Sequence, residues 1–286
     1  MRFGALILLV AAFATAQDRQ PACKNCAEWN IAQKPFKIYG NSYYVGTHGL
    51  GSVLIASTAG HVLIDGALPE SVPQIVANIK ALGFRVEDIR VIVNSHVHFD
   101  HAGGIAELQK LSGARVVASK WSADVLKKGT MARDDPQFIG SRPIAPVAKV
   151  ETVRDRETLS AGAVTITAHL TPGHTPGGTS WTWQSCENSR CLNLVYADSL
   201  TPVSSDGYLF SKNKDLLDGF EESYGFLNKT PCDILITPHP SFSKLFERLE
   251  ARASKPNAMV DTNACIALST DMHDRLKARL ATERGQ

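Results

Sequence analysis

Three separate segments of this 286-residue chain each carry histidine where a short apolar run ends. That repetition constrains the fold more than any bulk property. The first segment, Asn94-Ser95-His96-Val97-His98-Phe99-Asp100-His101-Ala102-Gly103-Gly104, comes directly after Val91-Ile92-Val93. The second is Leu170-Thr171-Pro172-Gly173-His174-Thr175-Pro176-Gly177-Gly178, and the third is Ile234-Leu235-Ile236-Thr237-Pro238-His239-Pro240. Apolar runs bounded by Gly and Pro read as buried strands. Histidines at three strand ends are most economically explained by one shared site along a sheet edge.

Alternation along an extended segment points His96 and His98 to the same side. Asp100 and His101 then fall in the turn, and the Gly pair lets the backbone turn tightly before the next helix. Neutral imidazole and carboxylate are preferred zinc ligands. Cationic imidazoles packed this closely would repel, whereas a bound metal keeps them neutral. Of the other histidines, His169 lies inside a strand pattern and reads as structural. His61 and His273 read as surface positions. His48, in Gly46-Thr47-His48-Gly49, sits in a loop placed to overhang the site.

Around these segments the pattern is hairpins first, then strands alternating with helices. Hairpins are predicted for Phe36 to Tyr39 with Ser42 to Val45, and for Ser52 to Ser57 with His61 to Asp65. Val72, Ile75, Val76, Ile79 and Leu82 recur at helical spacing, and Gly83 stops that helix. Further strands are expected at Val91 to Val93, Arg115 to Ala118, Val164 to His169, Ser180 to Gln184, Leu192 to Tyr196 and Asp233 to Ile236. Further helices are expected at Gly103 to Leu111, Leu245 to Ala253 and Cys265 to Leu280. Lys127 to Ala148, rich in Pro, Asp and Gly, reads as a long irregular excursion. The order favours a mixed α/β fold built in layers.

Residues 1–16 read as a secretory signal: Arg2, an apolar run from Phe3 to Ala14, then Ala14-Thr15-Ala16 before Gln17. The run is short for a bilayer span of roughly 20 residues. Residues 17–286 then form a single exported domain destined for the periplasm. Export makes the six cysteines candidates for disulfides. Cys186 and Cys191 flank a polar, turn-like loop, which favours a local bridge. Cys23-Lys24-Asn25-Cys26 lacks the second Cys-x-x-Cys a zinc site needs and the βαβ context of a redox motif. Lys and Arg total 30 against 28 Asp and Glu, a net charge of +2 with no electrostatic footprint for nucleic acid.

The histidine segments together resemble the metallo-β-lactamase superfamily, and the resemblance runs from about Phe36 to the last helix. His-x-His-x-Asp-His alone marks only the superfamily. With Gly173 to Trp183, Tyr196-Ala197-Asp198-Ser199-Leu200 and Thr237-Pro238-His239-Pro240, the chain is similar to the third subclass of class B β-lactamases. The resemblance implies a four-layer αββα sandwich. It implies two zinc ions, the first held by His96, His98 and His174 and the second by Asp100, His101 and His239. It supports Cys232–Cys265 and Cys186–Cys191 bridges, leaving Cys23 and Cys26 as the residual pair. The first two subclasses place a zinc-binding Cys where this chain has Ser199. Many other superfamily hydrolases use an aspartate that bridges both metals, and Asp198 stands close to that position. The subclass resembled here completes the second metal without it.

The resemblance also implies an activity: hydrolysis of the β-lactam amide of penicillins, cephalosporins and carbapenems, which confers antibiotic resistance. A hydroxide shared by the two zinc ions would attack, Asp100 would orient it, and Ser199 and Thr201 would bind the substrate carboxylate. The expected partner is a small-molecule β-lactam, with neither nucleic acid nor membrane, and the expected state is a monomer. A lactonase or a glyoxalase II-type thioesterase on the same fold would share the first motif and His174. Export, the similarity over residues 173–183 and Thr237 to Pro240 disfavour it. A zinc-storage protein is disfavoured because three protein positions per metal leave others open, the mark of catalytic sites.

Overall fold

A short helix, α1 (Cys26–Trp29), leads into four antiparallel strands: β1 (Phe36–Tyr39), β2 (Ser42–Tyr44), β3 (Val53–Ile55) and β4 (His61–Ile64). The computed structural model describes residues 23–285; the signal assigned to residues 1–16 lies outside the described residues. Crossover helices then place three parallel strands beside β4. Helix α2 (Val72–Ala81) leads to β5 (Ile89–Val93), and α3 (Phe99–Ala102) with α4 (Ile105–Ser112) leads to β6 (Arg115–Ser119). Helix α5 (Lys120–Lys128) and the irregular excursion lead to β7 (Val150–Val153). The seven strands form one sheet in sequence order.

The second sheet is built from β8 (Thr158–Ala161), β9 (Val164–Leu170), β10 (Thr179–Glu187) and β11 (Arg190–Tyr196), all antiparallel. Helix α6 (Lys214–Leu227) crosses over to β12 (Ile234–Ile236), which pairs parallel to β11. Helices α7 (Leu245–Ala251) and α8 (Ala264–Arg284) complete the chain. Because β10 runs against both neighbours, β9, β11 and β12 share one direction, and their C-terminal ends open on one edge.

Strand alternation sorts the core into three seams. Val62, Ile64, Val91 and Val93 face Ile166, Trp181, Leu194 and Tyr196 between the two sheets. The intervening residues Leu63 and Ile92 face outward and pack with Ile75, Ile79 and Leu108 of the helices. Val195 and Leu235 of the second sheet meet Phe220, Tyr224 and Met272. The resulting order is helix, sheet, sheet, helix, the αββα sandwich expected. A strand buried on both faces reads as an unbroken apolar run, as Val91-Ile92-Val93 does.

The predicted hairpins and the strands from Val91 to Ile236 are all present. Six strands and α-helices lay outside the expectation: α1, α3, α5, α6, β7 and β8. All six cysteines are bridged: Cys23–Cys26, Cys186–Cys191 and Cys232–Cys265. Cys186 and Cys191 face one another across the β10–β11 hairpin. No helix among the described residues is long and apolar enough to cross a membrane.

Candidate metal centre

The loop after β5 carries the first histidines, and a buried carboxylate fixes it. Asp65, just past β4, accepts from the Ser95 backbone N–H at 2.7 Å and from Asn94 Nδ2 at 3.1 Å through Oδ1. Its Oδ2 accepts from Ser95 Oγ at 2.6 Å and from the Tyr196 hydroxyl at 2.9 Å. Asp100 and His101 lie on the single turn of α3 rather than in an open turn. Gly103 and Gly104 have ordinary right-handed helical angles, so the turn itself does not require glycine. Space requires it instead: a Cβ on Gly104 would lie 2.3 Å from the Gly66 carbonyl oxygen, and one on Gly103 would lie 2.4 Å from that of Phe99.

His174 comes after β9 and His239 after β12, at the edge where these strand ends open. Two groups able to hold a metal ion result: His96, His98 and His174, and Asp100, His101 and His239. Within each group the candidate ligand atoms lie within 4.8 Å of one another. The His96 and His101 rings, 4.4 Å apart between centroids, join the two groups. Every sequence-predicted metal residue is therefore in one place.

Hydrogen bonds on the outer side of the rings determine which nitrogen faces inward. His96 Nδ1 lies 2.7 Å from Asp198 Oδ1, and His98 Nε2 lies 3.2 Å from Asp135 Oδ1. His174 Nδ1 donates to the Thr201 carbonyl at 2.8 Å, and His239 Nδ1 to the Gly49 carbonyl at 3.2 Å. On the inner side, His98 Nδ1 and His174 Nε2 approach to 3.2 Å. Asp100 Oδ2 lies 3.2 Å from His101 Nε2 and 3.4 Å from His239 Nε2. With the outer nitrogens of His96, His98, His174 and His239 protonated toward their acceptors, the inner ones are lone pairs converging on one another. Converging lone pairs repel unless a cation stands among them, so the donor set fits a metal.

The electrostatics agree. Burial, followed by the neighbouring histidines, pushes the His96 imidazole well below its ordinary range and His174 down to about 3. Both rings are thus neutral and ready to bind a metal at neutral pH. Burial alone would raise Asp100, but His101 and then His239 hold its carboxyl well below the usual carboxylate range. Ser199 and Thr201 line the same cavity, of about 1190 Å3. Thr201 Oγ1 also stands 3.1 Å from His174 Nδ1.

Sequence reasoning missed Asp65, Asp135 and Gln137, whose Nε2 lies 3.4 Å from His98 Nδ1 and 3.3 Å from His174 Nε2. His61 is corrected from a surface to a buried position: it accepts from the Ser57 N–H at 3.2 Å and meets the Phe84 ring edge-on. His169 is structural as expected, 2.9 Å from Thr182 Oγ1 and stacked on Phe226. His273 pairs with Glu221. His48 lines the cavity, stacked on Phe246.

A layered αββα sandwich with two adjoining metal-binding groups on one sheet edge defines the class as a dinuclear metallohydrolase. The family described as the Metallo-beta-lactamase superfamily matches residues 51–187. Among solved structures, Rm3 metallo-beta-lactamase is 51% identical with a TM-score of 0.90, covering 92% of this chain and 100% of that one. MEM-A1, a subclass B3 metallo-beta-lactamase from a soil metagenome library, is 44% identical with a TM-score of 0.88, covering 90% of this chain and 99% of its own. Among curated proteins, an N-acyl homoserine lactonase of Bacillus cereus is 24% identical over 43% of this chain and 54% of its own length. The chain spans about half or less of the curated relatives it matches. It belongs to the metallo-β-lactamase superfamily, in the third subclass, B3.

Proposed function

We propose that this protein is a zinc-dependent β-lactamase that opens the amide bond of penicillins, cephalosporins and carbapenems and so confers antibiotic resistance. The observation that carries this reading is the pair of metal-binding groups on the floor of one open cavity beside the Ser199 and Thr201 hydroxyls. The relatives that match over their whole length are metallo-β-lactamases by name.

In this reading His96, His98 and His174 hold one zinc ion, and Asp100, His101 and His239 hold the second. Bound zinc supplies Lewis acidity, which lowers the pKa of water to about 7 and polarises a carbonyl. The chain's own residues set the conditions for that chemistry. Burial keeps His96 and His174 uncharged, so they offer lone pairs rather than repulsion. Asp100 stays ionised beside His101 and His239, and its carboxylate steers the attacking water and the proton that water releases. Ser199 and Thr201, which line the same cavity, bind the carboxylate beside the lactam nitrogen in this reading. Water adds across the C–N bond, oxygen to the carbonyl carbon and proton to the nitrogen. No covalent acyl-enzyme is required. The proposal includes export through residues 1–16, one catalytic domain over residues 17–286, a periplasmic location and a monomeric state.

The test is zinc content together with hydrolysis of nitrocefin and a carbapenem, set against a homoserine lactone and a glutathione thioester, with and without chelator. Two zinc ions per chain and chelator-sensitive β-lactam turnover are expected. Faster turnover of the lactone or the thioester would replace the reading with that of a sister hydrolase.

A further inference from the structure

Four of the five histidines at the centre turn Nε2 inward; His98 alone turns Nδ1. The exception has a visible cause. His98 Nε2 lies 3.2 Å from Oδ1 of Asp135, a residue 37 positions downstream in the irregular excursion between α5 and β7. Asp135 is 1% exposed, and its Oδ2 is buried with no hydrogen-bond partner. Burying a polar group costs free energy unless it is hydrogen-bonded, and beyond its own turn the partner of Oδ1 is His98 Nε2. Oδ1 also accepts from the Gln137 backbone N–H at 2.7 Å, which brings the Gln137 amide over His98 Nδ1 and His174 Nε2. The excursion therefore touches the metal centre through the Asp135 carboxylate and the Gln137 amide, while the neighbouring Ile139 to Arg142 line the cavity above it.

We propose that Asp135 is the positioning residue that commits His98 to bind the first metal through Nδ1, and that registers the excursion against the metal centre. Its carboxylate takes the Nε2–H, fixes the ring plane and leaves the Nδ1 lone pair facing His174 Nε2. A carboxylate behind a histidine also raises the basicity of that ligand. The inference rests on the two-zinc reading above. The alternative is that Asp135 merely closes its turn through the Gln137 N–H, a role that would leave the metal untouched.

The experiment measures zinc affinity by chelator competition for the wild type, Asp135→Ala and Asp135→Asn. It adds the imidazole N–H spectrum of the zinc-loaded proteins by nitrogen-15 NMR. Asp135→Ala is expected to weaken one of the two zinc ions by about 10- to 100-fold and to remove or shift the His98 Nε2–H signal. Asp135→Asn keeps an acceptor for both N–H groups and therefore the turn, but not the charge. It is expected to lose affinity severalfold and to move the same signal upfield, so it carries the test should the Ala variant fail to fold. Wild-type affinity at both sites with an unmoved His98 signal, in either variant, overturns the inference. A wild-type protein that takes up fewer than two zinc ions overturns the two-zinc reading and this inference with it.

Discussion

His96 Nδ1 lies 2.7 Å from Asp198 Oδ1, and that one bond defines the role of Asp198. The sequence leaves open whether Asp198 bridges two metals, as the aspartate near that position does in other superfamily hydrolases. The structure gives it a supporting role instead: Oδ1 is committed to a ring nitrogen, and Oδ2 is buried without a partner against Gly178. Burial, reinforced by Asp65, drives the Asp198 carboxyl well above the ordinary range, and burial drives His96 well below its own. A metal held by His96 Nε2 would require the ring proton to sit on Nδ1, where Asp198 Oδ1 is the acceptor within reach.

Removing this partner is expected to weaken metal binding more than it weakens the fold. Asp198→Ala should lower zinc affinity by about 10- to 100-fold, and Asp198→Asn, which can still accept the Nδ1–H, should lower it less. Chelator competition reads both. Equal affinity in the wild type and Asp198→Ala would show that His96 needs no partner.

Gly178 is expected to tolerate no side chain. A Cβ there would lie 2.4 Å from Asp198 Oδ2 and 2.4 Å from the Thr171 carbonyl oxygen. Gly178→Ala should lose about 1 to 3 kcal/mol of stability, the usual range for overpacking, and should loosen the first metal by displacing Asp198. Urea unfolding measures the first effect and zinc competition the second. Wild-type values in both would contradict the close approach.

The metal residues were legible because their chemistry is concentrated: His-x-His-x-Asp-His needs no distant information, and Pro and Gly mark the other two strand ends. Their partners were not. His98 meets Asp135 across 37 residues, His96 meets Asp198 across 102, and His239 meets a Gly49 backbone carbonyl across 190. A backbone carbonyl has no residue-type signature, and long-range proximity is a property of the fold. Helix α6 was missed although its signal was present. Leu216, Phe220, Tyr224 and Leu227 recur at helical spacing, and Asn213 accepts from the Leu216 N–H as its cap. Gly219 and Gly225 obscured the pattern; Gly219 sits inside the helix because Pro172 packs against it. Strand β7 was missed because only Val150 and Val153 at its ends are buried. His61 looked exposed because its polarity outweighed its place in a strand whose four residues are all buried.

Stripping the metal is expected to lower stability as well as activity. Five histidines and a carboxylate converge here, so their inward-facing lone pairs lose the cation they share when zinc leaves. A ligand bound only by the folded state stabilises it by about 2.7 kcal/mol at one hundred times its dissociation constant. Thermal melts with stepwise chelator should show a falling midpoint alongside loss of nitrocefin turnover, and two equivalents of zinc should restore both. A midpoint indifferent to chelator would mean that the centre is formed without metal.

Acid is expected to unfold the metal-free protein, and His174 gives the sign. Its folded pKa is held down to about 3 by burial first and then by His98, while an ordinary histidine titrates near 6.5. As pH falls below about 6.5 the unfolded chain binds a proton that the folded chain refuses. The stability tied to this residue is therefore fully present above that pH and is lost progressively on the way to about pH 3. The full loss is on the order of 5 kcal/mol for this one buried ring, and His96 acts in the same direction. Zinc takes the same course, because its ligands must be deprotonated to bind. Urea titrations of metal-free protein at steps from about pH 8 to pH 4 should show stability falling with acid. His174→Gln, neutral throughout, should flatten that slope. A slope identical in the wild type and His174→Gln would assign the acid sensitivity to other groups.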